Sequence, residues 1–178
     1  MDVLIPKGNE KELIDMSKRL GETELVFLYS LKEYKKKEIS KEKGLIIHKG
    51  LLINESEINK IPECEYVFLE NPNRSGFEAK KVNHLFNIED QKKIDFIHHR
   101  NSGLNQVLAK EMKNIEKKLC FSYNLLLKSN NKNKILGRFK QNKKICNKYK
   151  INIECFSFAS EPYELRQTDI RKALIKIL

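Results

Sequence analysis

The sequence contains no tryptophan and few of the residues that interrupt regular secondary structure, with only 7 glycines and 4 prolines among 178 residues. No linker rich in Gly, Ser or Pro, no low-complexity tail and no internal repeat divides it. We therefore expect a single domain over residues 1–178. A chain of this length can bury a sizeable core without disulfides or a structural metal.

Long apolar runs and paired cysteines are also missing. No apolar stretch approaches the about 20 residues that cross a bilayer, and Met1–Pro6 lacks the basic and apolar regions of a secretion signal. These absences predict a cytoplasmic protein with no membrane partner. None of the 4 cysteines forms a C-x-x-C pair, which favours buried thiols in a reducing compartment over a zinc site.

Positive charge is in excess and is unevenly placed. The 35 Lys and Arg residues outnumber 24 Asp and Glu residues, for a formal net charge of +11, and such an excess favours polyanionic partners. Between Lys128 and Lys150 there are nine basic residues and no acidic one, whereas Lys32–Lys43 mixes six lysines with three glutamates. The second pattern is typical of a solvated helix. The first indicates nucleic-acid contact, with a solvated helix face as the alternative.

Short apolar segments alternate with amphipathic ones along the chain. Helix patterns follow Asn9, begin near Gly103, cover Lys132–Tyr149 and start after Thr168. The strand-like segments between them are Asp2–Ile5, Glu24–Tyr29, Leu45–His48 with Leu51–Ile53, Glu65–Leu69, Ile94–Ile97, Lys118–Ser122 and Ile151–Phe156. This alternation predicts an α/β fold with a mainly parallel sheet. The sheet is either open and doubly wound or an incomplete barrel, because a full eightfold barrel usually needs about 250 residues.

The most conspicuous candidate for chemistry is His98-His99-Arg100, at the end of the predicted fifth strand. Parallel sheets place their sites at such strand ends, but adjacent strand residues point to opposite faces. The other predicted strand ends add only His48, Glu70 and Ser157, which is a sparse ligand set for a metal. The sequence also lacks a glycine-rich phosphate loop and a G-x-S-x-G motif. Two functions stay open at this point: that of a metal-dependent phosphoesterase and that of a generic RNA-binding α/β protein.

Two segments together resemble a known family. Asp95–Lys110 contains Ser102-Gly103-Leu104-Asn105-Gln-Val-Leu-Ala and leads into Cys120-Phe-Ser-Tyr. A basic helix from Arg138 to Lys150 then leads to Ser157-Phe-Ala and Leu165-Arg166-Gln-Thr-Asp. In this order they resemble the archaeal ribonuclease P protein component 3 family, whose eukaryotic relatives serve ribonucleases P and MRP. The first 90 residues match the family only in their strand–helix rhythm.

The resemblance implies a TIM-barrel-like fold of the polymerase-histidinol-phosphatase-like class, with about seven parallel strands and surrounding helices, without that class's complete metal site. It also implies partners: the ribonuclease P RNA, the ferredoxin-like component 2 protein, other ribonuclease P proteins and, indirectly, precursor tRNA. The RNA would remove the 5′ leader of precursor tRNA, and Mg²⁺ is expected for that reaction. The chain itself is then expected to be non-catalytic and to bind no cofactor.

We expect RNA to meet this chain at two strand–helix junctions and along the basic helix. The predicted contacts are Arg100, Ser102, Asn105, Gln106, Arg138, Lys140, Lys143, Lys144, Lys148, Ser157, Ser160 and Arg166. Structural roles are the alternative for several of them. Arg100 could pair with Asp95 or Asp90, Arg166 could pair with Glu164 or Asp169, and the two amides could cap a helix or form buried hydrogen bonds. We predict no catalytic residue and no metal ligand.

Overall fold

A parallel sheet forms the centre of the molecule. The structure is a computed structural model that describes residues 1–39, 42–90 and 94–178. Its strands are β1 (Asp2–Leu4), β2 (Glu24–Tyr29), β3 (Ile46–Ile53), β4 (Tyr66–Glu70), β5 (His84–Phe86), β6 (Lys118–Ser122) and β7 (Ile153–Phe156). They lie side by side in chain order, and every neighbouring pair is parallel.

The two edges of this sheet meet. Leu4 forms a parallel bridge with Ala159, which lies just beyond β7. The Ile5 N–H donates to the Ala159 carbonyl at 2.9 Å, and the Phe158 N–H donates to the Val3 carbonyl at 2.8 Å. These bonds join the edges without a regular ladder, so the sheet is a nearly closed barrel. The predicted TIM-barrel-like fold with about seven parallel strands is confirmed.

Helices surround the barrel and supply the crossovers between its parallel strands. They are α1 (Glu10–Arg19), α2 (Leu31–Tyr34), α3 (Arg74–Glu78), α4 (Gln106–Asn114), α5 (Tyr123–Lys128), α6 (Lys132–Tyr149) and α7 (Thr168–Ile177), with 3₁₀ turns at Glu55–Lys60, Ile88–Asp90 and Pro162–Glu164. No helix in the described part of the chain is long and apolar enough to cross a membrane.

The strands are apolar on both faces because they separate two cores. Side chains alternate between the faces of a strand, and one set, which includes Val26, Phe68 and Phe86, fills the barrel interior. The other set packs outward against the helices; Leu69 and Phe121 belong to it. Burial on both faces explains why these strands read in the sequence as continuous apolar runs.

Two sequence predictions about local structure are wrong. The fifth strand is His84–Phe86, not Ile94–Ile97, whose two isoleucines are 79% and 95% exposed. Only the buried three-residue segment can pair with both β4 and β6. The helix expected in Lys32–Lys43 is restricted to Leu31–Tyr34, and Ser40 and Lys41 of that stretch lie outside the described residues.

Candidate nucleic-acid interface

The long helix α6 presents one apolar face and one basic face. Its apolar face packs against the core through residues that include Ile135, Phe139 and Cys146. Positions four residues apart lie on the same side of a helix, and on the outer side Lys140, Lys144 and Lys148 are all exposed. We call these three residues the lysine stripe. It is a row of solvated positive charges, as a phosphate backbone would require.

Three other basic residues of this region, Arg138, Lys143 and Lys128, bond within the fold. Arg138 is only 1% exposed, and its guanidinium donates to Asp95 from Nε at 2.8 Å and from Nη2 at 2.6 Å. Lys143 Nζ donates to the Ile175 carbonyl at 2.6 Å, and Lys128 Nζ lies 2.6 Å from Glu164 Oε1. The acid-free sequence run is therefore partly neutralised by groups from elsewhere in the chain.

The loop of residues 94–101 is clamped onto α6. Asp95 Oδ1 receives the Arg138 guanidinium and also the Asn101 N–H at 2.9 Å. Gln141 accepts from the Arg100 N–H at 3.1 Å, and its Nε2 lies 2.8 Å from the Arg100 carbonyl and 2.9 Å from Ser102 Oγ. The clamp uses side chains from both elements and fixes where the loop's own side chains point.

Arg100 lies across α6 where the helix has no side chain. A Cβ atom added to Gly137 would lie 2.3 Å from Arg100 Cζ, so only glycine admits the guanidinium at this distance. Arg100 Nη1 also lies 3.5 Å from Asp95 Oδ2, which is the ion pair considered as the structural alternative. The side chain remains 47% exposed. Arg100 is thus held by a partner and is still open to solvent.

Two grooves flank the 94–101 loop. The first, of about 710 Å³, lies between the loop and the outer side of α6, and its lining includes His98, His99, Arg100, Lys140 and Lys144. The second, of about 420 Å³, lies on the other side of the loop and shares His99 and Arg100 with the first. The described residues that line the two grooves include no Asp or Glu. Beside their apolar lining, both grooves therefore present side chains that are positive or neutral and polar.

The residues predicted at the end of β7 have internal partners. Ser157 is fully buried, its N–H donates to Asp2 Oδ1 at 2.8 Å, and its Oγ accepts from the Arg166 N–H at 3.2 Å. Ser160 is 8% exposed, and its N–H donates to Glu164 Oε2 at 2.8 Å. The Arg166 guanidinium donates to carbonyls of its own loop and lies over the Tyr123 ring.

The amides near α4 have local partners. Asn105 caps the helix, because its Oδ1 accepts from the Leu108 N–H at 2.9 Å. Ser102 is 1% exposed and bonds to Gln141. Gln106 accepts from the Tyr149 hydroxyl at 3.1 Å and is exposed. Gly103 makes the turn before the helix at φ +82°, where an added Cβ would lie 2.3 Å from the Ile88 carbonyl oxygen.

The structure places most of the predicted contacts in two groups, and Asn105, Gln106 and Arg166, which are not buried but have partners within the fold, belong to neither. Arg100 and the lysine stripe share one face, together with Lys143, which lines the same groove. Ser102, Arg138, Ser157 and Ser160 are buried, and a buried group that is bonded within the fold has no surface to offer RNA. Sequence reasoning missed Phe96 and Gln141. Nothing in the local sequence marks Gln141, because its hydrogen bonds join residues about 40 positions apart, whereas Phe96 fell within the predicted strand Ile94–Ile97.

The next feature is the placement of the side chains that could bind a metal ion, including His98 and His99. Among the residues that the structure describes, no three His, Cys, Asp or Glu side chains lie close enough to hold a metal ion. His98 and His99 are exposed on the 94–101 loop, away from any strand end.

A buried carboxyl lies beneath the clamped loop. Glu89 is fully buried, and its Oε1 accepts from Asn142 Nδ2 at 2.7 Å, while Asn142 also donates to the Ser102 carbonyl at 3.0 Å. Burial raises the pKa of Glu89 to about 8, against the lowering effect of the Asn142 hydrogen bond. The folded protein thus holds a proton at Glu89 that the unfolded chain releases near pH 4.5.

The raised pKa of Glu89 predicts that the effect of Glu89→Gln on stability depends on pH. From pH 4.5 to pH 8 the folded state binds more protons at this site than the unfolded state, so its contribution to stability falls as the pH rises through this window. Glutamine does not titrate. We expect Glu89→Gln to gain a few kcal/mol in free energy of unfolding relative to wild type between about pH 5 and about pH 9, measured by urea denaturation.

The exposed Glu12→Gln is the matched control, and its difference from wild type should change little with pH. A difference between Glu89→Gln and wild type that is the same at both pH values would contradict the raised pKa.

Comparison with known proteins identifies the fold. No protein-family model matches the chain, and no curated protein sequence does. A chain of the cryo-EM structure of archaeal ribonuclease P with mature tRNA superposes on it with a TM-score of 0.81 and 21% sequence identity. The match covers 99% of this chain and 82% of that chain. At this identity the likeness shows the fold, and nearly all of the barrel and its helices follow the same path as in that chain.

Proposed function

We propose that this chain is a protein subunit of a ribonuclease P ribonucleoprotein and that it binds the RNA through the face formed by α6 and the 94–101 loop. Two lines of support point to the same complex. The ordered sequence segments in residues 95–170 resemble the component 3 family. A solved structure of archaeal ribonuclease P contains a chain that shares the fold over 99% of this chain. Their agreement carries the proposal.

The chemistry of the face supports a binding role. A phosphate backbone is held by exposed cations, and binding releases its counterions. The lysine stripe and Arg100 supply such cations along one side of the molecule, and no described acidic residue lines the adjoining grooves. In this proposal the RNA cleaves precursor tRNA, the component 2 protein and other subunits complete the particle, and this chain holds the RNA in place.

The test is to identify the RNA that this chain contacts in its host. A tagged chain is crosslinked to RNA by ultraviolet light, washed at high salt to remove nonspecific polyanions, and the bound RNA is sequenced. We expect the ribonuclease P RNA to dominate, with precursor tRNA as a minor species. Enrichment of unrelated RNA would contradict the proposal. So would hydrolysis of RNA by the purified chain with added Mn²⁺, because the reaction would then belong to the protein.

A further inference from the structure

We infer that the 94–101 loop holds an unpaired RNA nucleotide, with its base stacked on the Phe96–His99 pair and its phosphate beside Arg100 and Lys140. This inference rests on the proposed function and assigns a ligand to side chains outside the lysine stripe. It follows from where the loop's apolar groups point, how the loop is held and what lines the grooves on its two sides.

The loop exposes apolar side chains that a folded protein normally buries. Ile94, Phe96 and Ile97 are 79%, 56% and 95% exposed, and they make up three of the eight large hydrophobic side chains exposed in the described parts of the chain. Clustering of this kind on a surface marks a site of interaction. Within the same segment, the Asp95 side chain and the Asn101 backbone N–H form the polar anchor.

The clamp explains why these side chains stay outside. Hydrogen bonds from Arg138 to Asp95, and between Gln141 and the Arg100 backbone, fix the loop on α6. Turning Phe96 inward would break these hydrogen bonds. The loop therefore presents its aromatic group in a defined position, which reduces the conformational entropy that binding would otherwise cost.

Phe96 and His99 form a small aromatic surface at the grooves. Their ring centroids are 4.6 Å apart, with an interplanar angle of 33°. Both side chains line the 420 Å³ groove, together with Asn101 and Asn105. Unpaired bases stack on aromatic side chains and bond to amides through their edges, so this groove offers both kinds of contact.

The positive charge around the two grooves favours RNA over a protein as their ligand. His99 and Arg100 line both grooves, and the groove on the other side adds Lys140, Lys143 and Lys144. A base on Phe96 would thus have its phosphate within a region of positive charge. A protein surface that docked on Ile94 and Ile97 would need to carry a matching acidic rim.

The absence of tryptophan gives the test a direct readout. Phe96→Trp places a sole tryptophan on the loop, and stacking of a base would quench its fluorescence. The probes are a short oligouridylate and a blunt-ended RNA duplex of the same length. We expect quenching by the oligouridylate and little by the duplex. Tyr163→Trp, at the other exposed aromatic position, is the matched control and should not be quenched.

Affinity provides the second measurement. Phe96→Ala should bind the oligouridylate about 5- to 100-fold more weakly, with an unchanged salt dependence because no phosphate contact is lost. Unchanged affinity, or no quenching of Phe96→Trp at saturation, would overturn the inference. A change in emission on addition of the other subunits, with none on addition of RNA, would overturn it in favour of a protein contact.

The two proposals can fail separately. The ribonuclease P RNA could be recovered from the host while the Phe96 variants show no quenching and no loss of affinity with single-stranded RNA. In that case the loop assignment is wrong and the proposed function stands. If Phe96→Trp is quenched by the oligouridylate but unrelated RNA is recovered, the loop assignment stands and the proposed function is wrong.

Discussion

Arg171→Met is expected to lower the free energy of unfolding by about 3–5 kcal/mol, because it removes the guanidinium that is paired with two buried carboxyl groups. Arg171 is 2% exposed, and its Nη2 lies 2.6 Å from Glu22 Oε1, while Nη1 lies 3.3 Å from Asp2 Oδ1. The same guanidinium donates to the carbonyls of Cys155 and Arg166. One side chain of α7 thus bonds to β1, to β7 and to the segment before β2.

Equilibrium denaturation in urea measures this loss, and two further variants define it. Arg19→Met removes an exposed arginine and should change the free energy of unfolding by less than about 0.5 kcal/mol. Adding Glu22→Gln to Arg171→Met should recover part of the loss, because one of the unpaired charges is then gone. A loss of less than about 1 kcal/mol for Arg171→Met would show that the cluster contributes little beyond packing.

Replacing Lys140, Lys144 and Lys148 together by alanine is expected to weaken binding to an archaeal ribonuclease P RNA transcript by about 100-fold at 0.1 M salt. Each phosphate contact contributes about 0.7–0.9 to the slope of log affinity against log salt. The slope should therefore fall by about 2–3 if each lysine neutralises one phosphate. Because all three side chains are exposed, the stability of the variant should change little.

A control variant that loses the same charge elsewhere on the molecule distinguishes direct phosphate contact by the lysine stripe from a general effect of net charge. Lys32, Lys35 and Lys36 are also exposed, and they precede β3 on a different part of the molecule. Their triple replacement by alanine lowers the net charge by the same amount and should leave the slope nearly unchanged. Filter binding over a range of salt concentrations measures both variants. Equal slopes for the two triple variants would exclude the lysine stripe as the contact surface.

Strands with long apolar runs could be predicted from the sequence, and so could the three-residue β1, whereas the equally short β5 could not. Glu24–Tyr29, Lys118–Ser122 and Lys132–Tyr149 have their predicted bounds, since burial on both strand faces and the helical spacing of apolar residues are local signals. Strand β5 has three residues, too few to show a period. The more apolar Ile94–Ile97 took its place in the prediction, although its side chains are largely exposed.

The candidate site shows the same limit. Charge counting found Lys140, Lys144 and Lys148, which are solvated and depend on no distant residue. It could not tell them from Arg138, whose burial depends on Asp95, 43 residues earlier in the chain. The spacing of residues in the sequence shows which of them share one face of a helix. It does not show which of them a distant loop will cover, because that contact forms only in the folded protein.

The seam of the barrel also bears on how the chain folds. Every other strand pair joins neighbours in the sequence, so the sheet can grow one strand at a time as the chain emerges. The bridge between Leu4 and Ala159 and the ion pair between Asp2 and Arg171 must instead span almost the whole chain. Contacts of such high sequence separation form late, because the entropy of closing the loop must be lost first. Until the last helix is in place, the edges of β1 and β7 that meet in the closed barrel are unpaired and can bind strands of other molecules. A high protein concentration during refolding should therefore favour aggregation through this seam.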